Sequence, residues 1–257
     1  MPTFILERGG AKHLRFSVLY AFTGQADGGA PMAGVIRVGS YLYGTTGFGT
    51  VYRVPLAGGT IVVLYTFKGG SDGGFPSGLI NVGQSLYGTT AVGGDIENRC
   101  GTVFRVPITG GSESKLFSFN KSADGVRPTA VLIKIGSYLY STTSGGGTYG
   151  VGTVFRVPLE GGGESVFHSF KDGPDGAEPF GPVTLINGKL YGTTYLGGGF
   201  GPSGYGTVFS LPLEGGLDKI VHAFTHPAGP EGALLDIGES VYGTTTGGDD
   251  FGTVFKF

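Results

Sequence analysis

The chain has a single cysteine, Cys100, so no internal disulfide framework can brace it. Cys100 falls in a predicted loop without histidine or asparagine context, and it reads as an incidental residue rather than a nucleophile. Charge is scarce: Asp, Glu, Lys and Arg make up 14% of 257 residues and nearly cancel, to a net −2. No basic run exists to neutralise a string of phosphates, so no nucleic acid partner is expected. No apolar run is long enough to cross a membrane as a helix, so no membrane insertion is expected. The first sixteen residues carry Glu7, Arg8, Lys12, His13 and Arg15 without the apolar core of a signal peptide, which leaves the compartment unassigned. No long stretch keeps a helical period free of Gly and Pro, and helix is therefore disfavoured throughout.

What is present is glycine, and a phrase. The 54 glycines and 14 prolines together exceed a quarter of the residues. That composition without a period would read as low complexity. Here the glycines recur at fixed places between apolar β-formers. A Tyr-Gly-Thr-Thr run appears at Tyr43, Tyr87, Tyr140 (with Ser141 in the glycine slot), Tyr191 and Tyr242. Each copy is followed by a loop and then Gly-Thr-Val-Phe or a close variant, starting at Gly49, Gly101, Gly152, Gly206 and Gly252. From Thr45 to Thr89, Thr142, Thr193 and Thr244 the spacings are 44, 53, 51 and 51 residues. A period of this size marks a repeat architecture.

Within one repeat, short alternating runs of β-formers are punctuated by glycine turns, which predicts four strands, A to D. Four strands in about 50 residues make a propeller blade. The residues at the start of strand A are small (Ala33, Gly78, Ala130, Gly181, Gly232), as close approach around a central axis requires. The expected fold is all-β: a five-bladed β-propeller with four-stranded blades. The blades fall at about 31–67, 76–119, 128–170, 179–224 and 231–257. The fifth repeat lacks a D strand, and Leu19-Tyr20-Ala21-Phe22 matches Leu64-Tyr65-Thr66-Phe67. The N-terminal strand 16–22 is therefore expected to close the last blade and remove its open edge.

The order Leu-Ile, tight turn, Leu-Tyr, glycine loop, Val-Phe-Arg-Val resembles a kelch-like blade. With Asp-Gly-Gly-x-Pro ahead of it, the phrase resembles the GTVF-type tandem repeat of bacterial proteins called the GloVer repeat, over residues 16–257. It departs at Ser141, at the short loop Gly47-Phe48-Gly49, and at Gly229-Pro230-Glu231-Gly232. The resemblance implies a repeat protein, exported or surface-associated, and carries no activity residue by residue.

The A–B and C–D turns are short and uniform, whereas the B–C and D–A connections vary in length and lie at the opposite face. Variable loops on rigid strands are where binding chemistry sits, so this face is the candidate functional one. Its candidate ligand-binding residues are Asp95, Arg99, Tyr149, Tyr195, Tyr205, His226 and Phe251. Rings beside carboxylates suit a glycan, with faces to stack on and acceptors for hydroxyls; a protein ligand is the other expectation. The recurring turn acids Asp27, Asp72, Asp124 and Asp175 are expected to bond their own turns. His168 and His222 occupy the strand-D slot that Tyr20, Tyr65 and Phe117 fill elsewhere. A lone loop histidine, His226, makes no metal centre, and no metal or cofactor is expected. The leading reading is a non-catalytic binding module. The alternative is a carbohydrate-active enzyme, a glycoside hydrolase or lyase, using Asp249, Asp250, Glu231 and Glu178 as its carboxylates. The oligomeric state stays open.

Overall fold

The computed structural model describes residues 16–94, 100–120, 124–163, 165–199, 204–214, 218–248 and 251–257. They form five antiparallel sheets in chain order, one per repeat. The first contains β1 (Ile36–Val38), β2 (Tyr41–Thr45), β3 (Thr50–Pro55) and β4 (Val62–Thr66). The second contains β5 (Gly74–Pro76), β6 (Ile80–Val82), β7 (Ser85–Val92), β8 (Thr102–Pro107) and β9 (Ser114–Ser118); β5 and β6 pair with successive halves of the long β7. The third is β10 (Ile133–Ile135), β11 (Tyr138–Thr143), β12 (Thr153–Pro158) and β13 (Ser165–Ser169). The fourth is β14 (Thr184–Ile186), β15 (Lys189–Thr194), β16 (Thr207–Pro212) and β17 (Lys219–Ala223), and one 3-10 turn, η1 (Gly173–Asp175), precedes it. The fifth has three strands: β18 (Leu235–Asp236), β19 (Val241–Thr245) and β20 (Thr253–Lys256).

Alternation along the third strand explains how the sheets stack. In β8, Val103 packs toward the third sheet, whereas Phe104 and Val106 pack toward the first. β12 repeats this, with Val154 facing the fourth sheet and Phe155 and Val157 facing the second. Each of the three inner sheets thus has two apolar faces and buries both against its neighbours, as propeller blades do. Four such cores join the five sheets among the described residues. A ring contact crosses each junction. Phe67 meets Phe104, Phe119 meets Phe155, Phe170 meets Phe209 and Phe224 meets Phe255, with centroids 4.9 to 5.3 Å apart. The small residues at the start of strand A also act as expected: a Cβ on Gly181 would lie 2.8 Å from the carbonyl oxygens of Glu231 and Gly232.

The two threonines of the repeated phrase have separate jobs. The second (Thr46, Thr90, Thr143, Thr194, Thr245) meets the threonine of the Gly-Thr-Val-Phe half, hydroxyl to hydroxyl, at 2.8 to 2.9 Å. It also accepts that residue's backbone N–H at 3.0 to 3.2 Å. In the first three repeats the first threonine crosses to the next sheet: Thr45 donates to the Ser77 carbonyl at 2.8 Å, Thr89 to that of Pro128 at 2.6 Å, and Thr142 to that of Gly181 at 2.9 Å. In the fourth, the buried Thr193 hydroxyl has no partner among the described residues. The glycine of the preceding Asp-Gly turn lies over the threonine pair; a Cβ on Gly125, at φ 130°, would collide with Thr143. The phrase therefore ties strand to strand and sheet to sheet.

Residues 16–22 depart from the expectation: they form no strand, and the last sheet is not closed by them. They do make the contacts that a fourth strand makes with the sheet after it. Phe22 packs on Tyr52 at 4.9 Å, like Phe67 on Phe104. The Leu19 carbonyl accepts from Gly59 N at 3.4 Å, as that of Leu64 does from Gly111 N. Contacts with the first sheet are near in sequence, whereas pairing with β20 must close almost the whole chain into a loop, the entropically harder step. The cost shows at the seam. Val254 is 77% exposed, although Val51, Val103, Val154 and Val208 in its slot are fully buried, and Val35 is 49% exposed where Leu79, Leu132, Val183 and Leu234 are buried.

Replacing Thr143 with Val keeps the volume and removes the hydroxyl, leaving the buried Thr153 N–H without its acceptor, while the Thr153 hydroxyl keeps the Asp124 carbonyl. Chemical denaturation is expected to show a loss of about 1–3 kcal/mol, against less than about 0.5 kcal/mol for Thr148→Val on the surface.

Candidate functional site

The expected division into two faces holds. On the variable face, every D–A connection is hydrogen-bonded to the B–C loop of the following sheet. Gly47 N donates to the Ala30 carbonyl at 2.8 Å, Gly94 N to Gly70 at 3.0 Å and Val126 N to Gly145 at 2.7 Å. Ala177 N donates to Leu196 at 2.9 Å and Gly247 N to Ala228 at 2.7 Å. Loop length varies beyond these clamps, so any recess on this face forms at a junction between two sheets.

One recess of about 270 Å³ opens between the fourth and fifth sheets. Its walls come from the B–C loop of the fourth sheet (Tyr195, Leu196, Gly204, Tyr205), the D–A connection (Pro227, Ala228, Gly229) and the B–C loop of the fifth (Thr246, Gly247). Tyr195 is held edge-on against Phe180, with centroids 5.6 Å apart. Gly229 has to be glycine: its φ is 55°, and a Cβ there would stand 2.6 Å from the Tyr195 ring and 2.8 Å from Thr246 Oγ1. The Thr246 hydroxyl donates to the Gly229 carbonyl at 2.9 Å and fixes the wall. The site offers two phenol rings with their hydroxyls, the Thr246 hydroxyl and backbone groups.

The structure thus brings Tyr195 and Tyr205 together, as the sequence suggested for this face. His226 flanks the recess through Pro227; it is exposed, with Nδ1 3.0 Å from Thr225 Oγ1. Tyr149 belongs to another junction, 52% exposed with the Lys171 ammonium 5.7 Å from its ring centre. Phe251 is 94% exposed and does not line the recess. Asp95, Arg99, Asp249 and Asp250 lie outside the described residues. Glu231 is exposed, and Glu178, at φ 55°, uses its backbone to clamp Val151 and Tyr195; neither lines the recess.

The turn acids behave as expected. Asp27 accepts from Thr23 N and Oγ1 at 2.8 and 2.6 Å and from the Tyr20 hydroxyl at 2.7 Å. These bonds, those of Thr23 foremost, hold its carboxyl well below the usual range. Asp72 accepts from Lys68 N at 2.9 Å and from the Tyr65 hydroxyl at 3.0 Å. Sequence reasoning missed that a second acid, at the end of the next C–D connection, faces some of these turns. Burial and then the Asp72 carboxylate push Glu113 up to about 7, with Lys115 opposing. Asp218 holds the same place ahead of β17 and faces Asp175; burial and then Asp175 push it up to about 6. The available signal was the recurrence of an acid just before strand D, in a slot that looked solvated until the preceding sheet's turn was placed over it.

A family model for the Gloeobacter/Verrucomicrobia repeat matches residues 11–134 and 47–257. No curated protein sequence matches the chain. Among solved structures, the fold is similar to that of BamB from Moraxella catarrhalis, at 16% identity and TM-score 0.50, covering 88% of this chain and 58% of that one. It is similar to a gluconolactonase from Xanthomonas campestris at 15% identity and TM-score 0.52, covering 84% of this chain and 69% of that one. TolB from Acinetobacter baumannii gives 15% identity and TM-score 0.52, covering 85% of this chain and 49% of that one. The chain thus spans little more than half the length of BamB and about half that of TolB. At these identities the likeness shows the fold alone, which is all-β and propeller-like.

A carboxyl raised on folding contributes stability that is present below its ordinary pKa and lost as pH climbs through the raised value. Glu113 therefore weakens the fold between about pH 4.5 and 7. Melting curves at pH 5 and pH 8 are expected to differ less for Glu113→Gln than for the parent chain, because glutamine does not titrate.

Proposed function

The chain belongs to the Gloeobacter/Verrucomicrobia repeat family, and from that premise we propose that it is a non-catalytic binding module whose ligand, a glycan or a protein, docks on the B–C and D–A loop face. The observation that carries this reading is the recess lined by Tyr195, Tyr205, Pro227 and Thr246. A recess of about 270 Å³ has room for one sugar ring or one projecting side chain. Its two tyrosines supply stacking surface, and Thr246 with the glycine backbone supplies hydrogen bonds. The hydrolase or lyase alternative has one point in its favour: the loop that ends the recess at Gly247 continues into Asp249 and Asp250.

A glycan array and a parallel polysaccharide turnover screen separate these readings. Binding without turnover is expected, with Tyr195→Ala and Tyr205→Ala each weakening it about tenfold or more. Turnover abolished by Asp249→Asn or Glu231→Gln would overturn the non-catalytic reading.

The proposal includes a five-bladed ring in which residues 16–22 complete the fifth blade. Its support is complementarity: Leu235, Ile237 and Val254 at one end and Val35 with residues 16–22 at the other offer the two halves of the interface that recurs four times within the chain. Closure buries Val254, so Val254→Asp is then expected to cost about 2 kcal/mol or more in a monomer. A change within about 0.5 kcal/mol, the size of an ordinary surface substitution, refutes the ring.

A further inference from the structure

Away from the loop-face recess, the packing of the third sheet on the fourth assembles one mixed cluster of ligand-type side chains. His168 comes from β13, Asp175 from η1, and Asp218 stands just ahead of β17. One donor atom from each lies within 4.8 Å of the others. The His168 and Asp175 side chains are only 13% and 14% exposed. His168 Nε2 is enclosed and points at Asp175 Oδ1 across 3.4 Å, yet it makes no hydrogen bond of good geometry. Asp175 Oδ2 is occupied by the Lys171 backbone N–H at 2.7 Å, so Oδ1 is the oxygen left for the cluster.

The other repeats provide an internal comparison. In the slot of His168, the phenols of Tyr20 and Tyr65 reach Asp27 and Asp72 at 2.7 and 3.0 Å and satisfy the turn by themselves. The imidazole of His168 stops 3.4 Å from Asp175 Oδ1 without bonding it. The nearby Lys171 ammonium, a possible counter-charge, is turned over the Tyr149 ring. Two facing carboxylates oppose each other's ionisation, and a divalent cation offsets that repulsion.

We propose that His168, Asp175 and Asp218 bind a divalent transition-metal cation, with Zn²⁺ the best match to one imidazole and two carboxylates. Three protein ligands leave coordination positions for water or for an oxygen of a bound molecule. The ligands come from two sheets, so the ion clamps the third blade to the fourth.

The test is isothermal titration of the untagged, chelator-treated chain with Zn²⁺ at pH 7.5, followed by melting with and without the ion. One Zn²⁺ per chain is expected, with a Kd on the order of 10 μM or below and a raised melting temperature when saturated. His168→Phe places in the slot the residue that Phe117 supplies in another repeat, so the variant is expected to fold; it and Asp218→Asn should each weaken binding about tenfold or more. Circular dichroism confirms that both variants are folded. No binding up to millimolar Zn²⁺, or binding unchanged in both folded variants, overturns the proposal.

Discussion

Each sheet of this molecule is too small to cover itself, and both of its faces are apolar. A small sheet with Val103 on one side and Phe104 and Val106 on the other exposes one set or the other unless a neighbour lies on each face. The remaining order of the molecule follows from that constraint. Sheets stack in sequence order, small residues mark the closest approach between them, and the threonine phrase keeps neighbours in register by bonding once within the sheet and once across to the next. Where the constraint is not met, at Val254 and Val35, apolar surface faces solvent.

The same stacking decides where chemistry can occur. Every D–A connection is clamped to the following B–C loop, so concave surface arises at junctions and draws its residues from two repeats. The recess around Tyr195 and Tyr205 is built this way, and so is the cluster of His168, Asp175 and Asp218 on the third and fourth sheets. Neither exists within a single repeat. A propeller-like stack of near-identical repeats thereby acquires distinct surfaces from small differences, such as histidine in place of tyrosine in the strand-D slot or a longer loop after one strand.

Much of the fold was legible because it is written at short range. Alternating β-formers and glycine turns give strands and hairpins, and the aromatic slots Tyr43, Phe104, Phe155 and Phe209 are buried as the repetition suggested. The turn acids were read correctly for the same reason, since each bonds backbone within four residues of itself. The candidate site was legible only in part. Tyr195 and Tyr205 both line the recess on the loop face, but their joining with Pro227 and Gly247 depends on how two loops of different length fold over one clamp. Tyr149 and Phe251 share their composition and face and line no part of the recess.

Taken by itself, the sequence determined the repeat, the strand order within it, and which face carries the variable loops, because periodicity, turn chemistry and alternation act between neighbouring residues. Tertiary structure alone decided that the first threonine of the first three phrases serves the next sheet and that Glu113 and Asp218 meet carboxylates from the preceding turn. It also decided that residues 16–22 lie against the first sheet without pairing to the last. Each of these is set by how one sheet's face registers on another's. Burial energy, not local pattern, governs that registration, so near-identical repeats gave no sign of where it would place unlike side chains together.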